Sequence, residues 1–221
     1  MKRTKLADRV LPEYTKGEEI FNMVSHIVGG VLGIVVLVLC IIFADDGYDL
    51  FSGIVYGISM ILLYTMSAIY HGLSPRLKAK KVFQIMDHCS IFLLIAGTYT
   101  PVLLCSIRKV DSKWAWILFV VIWLMTVIGI ILNAIDIKQY QRFSMICYLV
   151  MGWCIVFKIN LLPIALAFNG IALLVAGGLA YTIGVIFYIL QDRVKYMHSI
   201  WHLWILVGSL LHFLCIILYV I

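Results

Sequence analysis

Histidines at the two ends of the chain have the spacing of metal ligands. His198 and His202 are four residues apart, so in a helix they lie one turn apart on the same face. His71 lies far away in the sequence and follows Ser67 at the same spacing. Three neutral imidazoles from two helices suit Zn²⁺ and leave a fourth coordination position for water. The pattern therefore predicts a zinc site formed by His71, His198 and His202.

A carboxylate and a hydroxyl accompany these histidines. Asp87 begins the next apolar segment after His71. Zinc lowers the pKa of a bound water to about 7, and a carboxylate beside that water can orient it or accept its proton. Asp87 is predicted to fill this catalytic role. Ser67 is predicted to assist by donating a hydrogen bond to a ligand or to an oxyanion.

Three more polar residues at the start of the first apolar segment are predicted to support the site. Glu19, Asn22 and His26 recur at helical spacing and could form a polar strut towards the metal. We expect Glu18, their neighbour, to be solvated instead.

Two other histidines are not expected to belong to the site. His88 follows Asp87 by one residue and so points roughly 100° away around a helix, where it would pack against a neighbour or support the site from outside. His212 lies ten residues after His202, about 15 Å further along the same helix. We therefore expect His212 to be unrelated to the metal site.

Each of these signals also has a simpler explanation. A single H-x-x-x-H pair in a helix is a weak motif, histidines at membrane interfaces often extend to the headgroups, and an aspartate there can pair with Lys or Arg. The metal site is favoured because polar residues from four helices fall at one membrane depth, where ionisable groups are costly. The zinc could also be structural, in which case a fourth protein ligand, Asp87 or His26, would close the site.

The composition places these residues in a membrane. Of the 221 residues, 64% are hydrophobic and 13% are charged, and the mean hydropathy is +1.07. An average soluble domain has about 45–50% apolar and about 25% charged residues, so this chain lacks the polar side chains to cover a soluble globule. A soluble enzyme, a disordered chain and a nucleic-acid-binding module are excluded. We expect a multi-pass protein of the cell membrane whose partners are membrane lipids and not nucleic acids.

Seven apolar segments are long enough for transmembrane helices, each of which needs roughly 20 residues. The expected fold is an all-α membrane protein, a seven-transmembrane helix bundle, with an N-terminal segment, residues 1–18, and a transmembrane domain, residues 19–221. The predicted spans are 20–44, 50–71, 84–107, 114–135, 142–158, 170–190 and 196–220. The fifth is short because Lys158 is taken as its end and Pro163 as a break in the stretch that follows.

The distribution of Lys and Arg predicts the orientation of the helices. Thirteen of the 17 basic residues, Lys2 and Arg3 among them, fall on the side of the N-terminus. The excess of positive charge in cytoplasmic loops then predicts a cytoplasmic N-terminus and an external C-terminus. The predicted metal site lies at the cytoplasmic face.

The motifs taken together resemble the hemolysin III family, the bacterial branch of the progestin and adipoQ receptor family. The resemblance extends from Glu19 to the end of the chain, and four motifs carry it in the family's order: Glu19-Ile-Phe-Asn22-Met-Val-Ser25-His26, Ser67-x-x-x-His71, Asp87-His88 and His198-x-x-x-His202. Members of this family have seven spans, a cytoplasmic N-terminus and an external C-terminus.

The resemblance also implies roles for individual residues. The adiponectin receptors of that family bind zinc near the cytoplasmic face through three histidines, and an aspartate lies close to a zinc-bound water. Carried over to this chain, the ligands are His71, His198 and His202, Asp87 is the carboxylate, and Ser67 is the serine of the same motif. The short N-terminal segment lacks the long cytoplasmic region of the animal receptors, so no protein hormone is implied as a partner.

The function that the resemblance implies has two alternatives. The receptors are thought to have ceramidase-like activity, which implies a zinc-dependent hydrolase of lipid amides or esters. The bacterial relatives are named for a cytolytic, pore-forming activity and are linked to membrane-lipid homeostasis, which implies a non-enzymatic protein with a structural zinc. A transporter or proton relay is disfavoured, because the polar residues gather at one face and do not form a path across the membrane.

Overall fold

The computed structural model describes residues 4–221, so Lys2 and Arg3 of the predicted basic segment lie outside the described residues. Within residues 4–221, seven helices are long and apolar enough to span a membrane. We label them α1 to α7 in chain order: Lys16–Ile42, Gly47–Gly72, Lys78–Val110, Ser112–Ile135, Ile137–Ala165, Phe168–Leu190 and Met197–Tyr219. A 3-10 turn at Leu6–Asp8 precedes them. The predicted all-α, seven-helix membrane fold is confirmed.

The helices pack around α3, which is the most deeply buried of the seven. It contacts α2, α4 and α5, while α1 packs against α2 and α7, and α6 packs against α7. The outward helix faces expose many large apolar side chains, such as Val31 and Leu124. A continuous apolar exterior of this kind is suited to lipid and not to water.

One end of the bundle is here called the N-terminal face. It is formed by the starts of α1, α3, α5 and α7 and by the ends of α2, α4 and α6.

Several helices begin a few residues before the start of the corresponding predicted span. At α1, Thr15 Oγ1 accepts a hydrogen bond from Glu18 N at 3.3 Å, and Glu18 Oε2 accepts one from Thr15 N at 2.8 Å. Asp46, Asp111 and Asp136 cap α2, α4 and α5 in a similar way. Because these polar caps lie outside the apolar segments, the helices start a few residues earlier than the spans 20–44, 50–71, 114–135 and 142–158 indicate.

The fifth helix is also longer at its other end than the predicted span 142–158. It consists of an α-helix, a 3-10 segment and a final helical turn, at Ile137–Gly152, Cys154–Leu161 and Leu162–Ala165. Pro163 does not break it, because a proline in the first turn of a helical segment lacks only an N–H that has no partner there. Lys158 marks a kink within it, because its backbone leaves the helical region at φ −133° and ψ 38°. Its Nζ lies 4.0 Å from the centroid of the Trp114 ring and is stabilised by this cation–π contact.

A π-helical segment interrupts the regular winding of α3. It covers Val102–Ile107, directly after Pro101, and all six of its residues are buried. Segments of this type insert an extra residue into a helix and change the direction in which the following side chains point. The buried face of α3 therefore shifts around the helix at this point.

The residues before α1 lie across the N-terminal face, and we call residues 4–15 the N-terminal strap. Arg9 is buried, and its Nη2 donates to Ile135 O at the end of α4 at 2.8 Å. Thr4 N donates to Asp136 Oδ2 at 3.0 Å. Hydrogen bonds from Thr4 hold the pKa of the Asp136 carboxyl below its usual range. The strap is thus attached to the loop between α4 and α5.

Close packing of α1 against α2 makes a prediction about stability. A Cβ atom on Gly57 would lie 2.6 Å from Leu37 Cα, a backbone atom that cannot move alone. We expect Gly57→Ala to lower the free energy of unfolding in detergent by about 1–3 kcal/mol through overpacking, measured as a fall in melting temperature. Gly47→Ala is the matched control, because nothing lies within 4 Å of its Cβ position. Equal melting temperatures for the two variants would contradict the packing described here.

Candidate metal centre

Three histidine side chains from two helices meet at the N-terminal face. His71 lies in the last turn of α2, and His198 and His202 lie on successive turns at the start of α7. All three are buried. One ring nitrogen of each lies within 4.8 Å of the other two. In residues 4–221 this is the one group of three or more His, Cys, Asp or Glu side chains whose positions could hold a metal ion.

The distances between the nitrogens fit a single metal ion. His198 Nε2 is 3.3 Å from His71 Nε2 and 3.1 Å from His202 Nε2. Two ligands that are each about 2.0–2.1 Å from zinc in tetrahedral geometry lie roughly 3.4 Å apart. The imidazoles are therefore close to the separation that tetrahedral zinc needs.

Hydrogen bonds on the opposite side of two rings determine which nitrogen carries the hydrogen. His71 Nδ1 lies 2.7 Å from Glu19 Oε2, and His198 Nδ1 lies 2.6 Å from Gln191 Oε1. Carboxylate and amide oxygens accept hydrogen bonds, so Nδ1 is the donor in both rings. The Nε2 atoms are left with their lone pairs, which is the form of histidine that binds metals.

This arrangement favours a bound cation. The Nε2 lone pairs of His71 and His198 face each other at 3.3 Å in buried surroundings, so they repel one another and water does not screen them. A divalent cation among the three nitrogens removes the repulsion and replaces it with coordinate bonds. The donor set and its geometry therefore fit zinc, and His71, His198 and His202 are the residues that would hold it.

A buried lysine completes the surroundings of His71. Lys80 Nζ donates to Glu19 Oε1 at 2.7 Å and to Tyr70 O and Leu73 O at 2.9 Å each. Its side chain is 1% exposed. All three ammonium hydrogens thus have acceptors, which is the condition for a tolerable buried charge. In the sequence, Lys80 looks like one of the basic loop residues, because it stands in a Lys-rich run beside an apolar segment.

Glu18 is buried, contrary to the expectation that it is solvated. Its Oε1 accepts a hydrogen bond from Tyr196 N at 2.6 Å, and Tyr196 has the left-handed backbone conformation, with φ 63°, just before α7. Glu18 thereby fixes the start of α7 relative to α1. The T-x-x-E signature of a capping box at Thr15–Glu18 was the sequence signal for this role.

Two of the predicted supporting residues contact the start of α7. Asn22 Oδ1 accepts a hydrogen bond from Ser199 Oγ at 2.6 Å. The His26 ring stacks on His202, with 3.7 Å between the ring centroids and an angle of 11° between the planes. Neither ring nitrogen of His26 has a hydrogen-bond partner. His26 therefore supports His202 by stacking and is not one of the grouped ligands.

The two residues predicted to be catalytic are buried near the histidines. Asp87 is 5% exposed, and its Oδ2 lies 3.8 Å from His88 Nδ1. Ser67 is fully buried, one turn before His71, and its Oγ has no hydrogen-bond partner. Neither residue belongs to the group of ligand atoms. Neither Asp87 nor His26 therefore adds a fourth ligand atom to the histidine group.

Tyr14 and Gln191 contact the site, and the sequence analysis missed both. The Tyr14 ring lies 4.9 Å from that of His198 and 5.6 Å from that of His71, measured between centroids. Its hydroxyl donates to Gln191 Oε1 at 3.3 Å. Burial raises the pKa of the Tyr14 phenol well above its usual value. No local pattern marks a tyrosine in the N-terminal strap as part of this site, because its position depends on how the strap crosses the bundle.

Two cavities of different character lie beside the histidine group. An apolar cavity between α3, α5, α6 and α7 reaches His26 and Asp87. A polar cavity under the N-terminal strap reaches His198 and His88. The charged residues that line the polar cavity are Asp8, Arg9, Asp136, Lys138 and Asp192. The candidate metal centre therefore lies between a polar and an apolar space.

The fold and this site define a class: seven-helix membrane proteins with a group of three histidines at one end of the bundle. Residues 14–213 match the family described as Haemolysin-III related. The chain belongs to this family.

Named relatives agree with this membership. The chain is 39% identical to Hemolysin-3 of Bacillus cereus over 206 residues, which cover 92% of each chain. It is 37% identical to the Hemolysin-3 homolog of Bacillus subtilis (strain 168), over 93% of this chain and 96% of the relative. It is 26% identical to the human Monocyte to macrophage differentiation factor, over 78% of this chain and 72% of that protein. The seven helices and these relatives identify a multi-pass membrane protein.

The ligand geometry predicts the metal content. We expect the purified protein to contain about one zinc per chain and the double variant His198→Ala, His202→Ala to contain none, because one remaining imidazole cannot hold the ion. Metal analysis by mass spectrometry measures both. The control is His212→Ala, a buried histidine of the same helix outside the ligand group. A folded wild-type protein without zinc, prepared without chelators, would refute the metal site.

The Glu19 contacts predict a change in zinc affinity. Glu19→Gln removes the charge that orients His71 and neutralises Lys80, and we expect zinc affinity to fall about 10- to 100-fold, as is typical when such a supporting carboxylate is lost. Competition with a chromophoric chelator measures this. Glu13→Gln, an exposed change before α1, is the control. Unchanged affinity in Glu19→Gln would show that the carboxylate does not act on the metal.

Proposed function

We propose that this protein is a zinc-dependent hydrolase of lipid amides or esters, with ceramidase-like chemistry. The main support is the position of the three converging Nε2 atoms between a polar and an apolar cavity. An amphipathic lipid changes from polar to apolar along its length, and the amide or ester bond lies at that change. A metal centre at the junction is therefore positioned to act on such a bond.

The zinc would be held by His71, His198 and His202. When bound, it supplies Lewis acidity towards a carbonyl oxygen and lowers the pKa of a water to about 7. Glu19 and Gln191 keep two of the rings in the ligating tautomer. The protein's part is thus to orient the ligands and to place the lipid.

Asp87 and Ser67 would handle the proton and the oxyanion. The Asp87 carboxylate accepts the proton of the attacking water, and the resulting carboxyl group gives it to the leaving amine nitrogen or alkoxide oxygen. Ser67 Oγ has no partner in the folded protein, so its hydrogen is free to bond to the carbonyl oxygen as that atom gains negative charge. Both side chains are buried, which strengthens these interactions by excluding water.

The two cavities would divide the substrate between them. The apolar cavity, lined by residues such as Ile91, Leu94 and Ile205, takes the acyl chain. The polar cavity under the N-terminal strap takes the polar part and gives water a route to the site. The excess of Lys and Arg on the side of the N-terminal face supports a cytoplasmic position for this face.

A second candidate function is cytolysis or control of membrane-lipid composition without catalysis. It is supported by the name of the Bacillus cereus relative, Hemolysin-3. In that case the zinc would be structural, and Glu19, Lys80 and the three histidines would serve to join α1, α2, α3 and α7. A structural site is normally closed by a fourth protein ligand, which the histidine group does not include.

The two functions predict different results for Asp87. We expect the reconstituted wild-type protein to release fatty acid from a ceramide or another acyl lipid, and a zinc chelator to stop the release. Asp87→Asn should retain zinc but lose about 10²- to 10⁴-fold in turnover, because the general base is missing. Product mass spectrometry measures the release, and metal analysis measures the zinc.

Controls separate catalysis from folding. Asp45→Asn changes an exposed carboxylate in the loop between α1 and α2 and should leave turnover unchanged. Turnover by Asp87→Asn at the wild-type rate would remove Asp87 from the mechanism. A zinc-loaded wild-type protein that releases no fatty acid from any of the lipids but lyses vesicles would favour the second candidate function.

A further inference from the structure

His212 is a buried histidine that the proposed reaction does not use. It is 7% exposed and lies ten residues beyond His202, about 15 Å further along α7 and deep in the bundle. Ionisable side chains at such depth are costly and are often functional. As expected from its spacing, His212 lies outside the ligand group of the candidate metal centre.

The structure holds the His212 ring in one orientation. A Cβ atom at Gly177 of α6 would lie 2.4 Å from His212 Cδ2 and 2.5 Å from its Nε2, so only glycine leaves room for the ring there. His212 Nε2 lies 3.1 Å from the backbone oxygen of Leu174, which belongs to α6 like Gly177. A carbonyl oxygen can only accept, so Nε2 carries the hydrogen and Nδ1 carries a lone pair. Nδ1 is the ring atom opposite the edge that packs against Gly177.

This Nδ1 lone pair is an unused acceptor on a side chain that lines the apolar cavity. The cavity that reaches His26 and Asp87 adjoins a second cavity towards the other end of the bundle, and both are lined by Thr98, Tyr99, Gly152, Trp153, Gly178 and His212. Thr98 donates to Leu94 O, Tyr99 to Gly152 O, and Trp153 Nε1 to Thr182 Oγ1. Among the described side chains that line both cavities, only His212 has a buried polar atom without a partner. A buried acceptor without a donor is costly, so a ligand that supplies the donor gains affinity.

We infer that His212 is the recognition site for a hydroxyl group in the middle of an acyl chain. The inference rests on the proposed function, in that the carbonyl end of the lipid lies at the histidine group and the chain extends along the apolar cavity. The ligand group must be a donor, because Nδ1 is an acceptor. A hydroxyl at mid-chain fits, whereas a ketone at the same carbon does not.

The test compares four fatty acids that differ only in this group: octadecanoic acid, 12-hydroxyoctadecanoic acid, 12-oxooctadecanoic acid and 2-hydroxyoctadecanoic acid. The zinc-loaded protein in nanodiscs is first bound by a brominated fatty acid, which quenches the fluorescence of Trp153 and Trp201 in the cavity wall. Displacement of this probe gives the affinity of each acid. We expect the 12-hydroxy acid to bind about 3- to 10-fold more tightly than octadecanoic acid, as one buried hydrogen bond allows. The 12-oxo and 2-hydroxy acids should show no such gain.

Two variants assign the effect to His212. His212→Leu should bind octadecanoic acid as the wild type does and lose the preference for the 12-hydroxy acid. His212→Asn, whose amide oxygen can take the place of Nδ1 as an acceptor, should keep part of it.

The possible outcomes separate the two proposals. Equal affinities of the wild type for octadecanoic acid and its 12-hydroxy form would overturn the His212 site and leave the acyl cavity intact. An equal gain from the 12-oxo acid would also overturn it, since that ligand only accepts. Failure of all four acids to displace the probe would overturn the acyl cavity and the His212 inference with it. Loss of hydrolysis in Asp87→Asn tests the reaction separately.

Discussion

The carboxylate of Glu19 is the contact on which the candidate metal centre depends. One oxygen bonds to His71 Nδ1 and the other to Lys80 Nζ, so a single side chain of α1 connects the end of α2 with the start of α3. Lys80 also donates to two carbonyls at the end of α2, which uses its remaining hydrogens. Each of these charged groups would be expensive to bury alone, and together they satisfy one another. The position of His71, and therefore the approach of its Nε2 to His198, follows from this network.

The position of the centre matters as much as its ligands. His26 and Asp87 line an apolar cavity, while His198 and His88 line a polar one, so the two sides of the centre adjoin different environments. In the proposed function, the hydrocarbon chain would approach from the apolar cavity and water from the polar one. The proposed reaction between water and a membrane lipid would require such a separation.

The sequence predicted the parts of the structure that depend on local periodicity. The i, i+4 spacing placed His198 and His202 on one helical face, and hydropathy gave the number of spans. It did not predict the partners of Glu18, Lys80 or Gln191, because a charged or polar residue beside an apolar segment reads as solvated until the fold shows what covers it. The predicted end of the fifth span at Lys158 coincides with a kink in α5, but helical turns continue beyond it, because Trp114 accommodates the lysine and Pro163 begins a new turn. Tyr14 could not be predicted at all, since it reaches His198 only through the path of the N-terminal strap.

The π-helical segment Val102–Ile107 determines the direction in which the side chains beyond it point from α3. One residue more or less rotates everything beyond it by about 100°. Asp87 lies before the segment, and Arg108, which stacks on the Tyr48 ring, lies after it. With regular winding, the two ends of α3 could not both meet their present neighbours. The segment therefore sets the rotation that lets Asp87 and Arg108, at the two ends of one helix, each face its own neighbours.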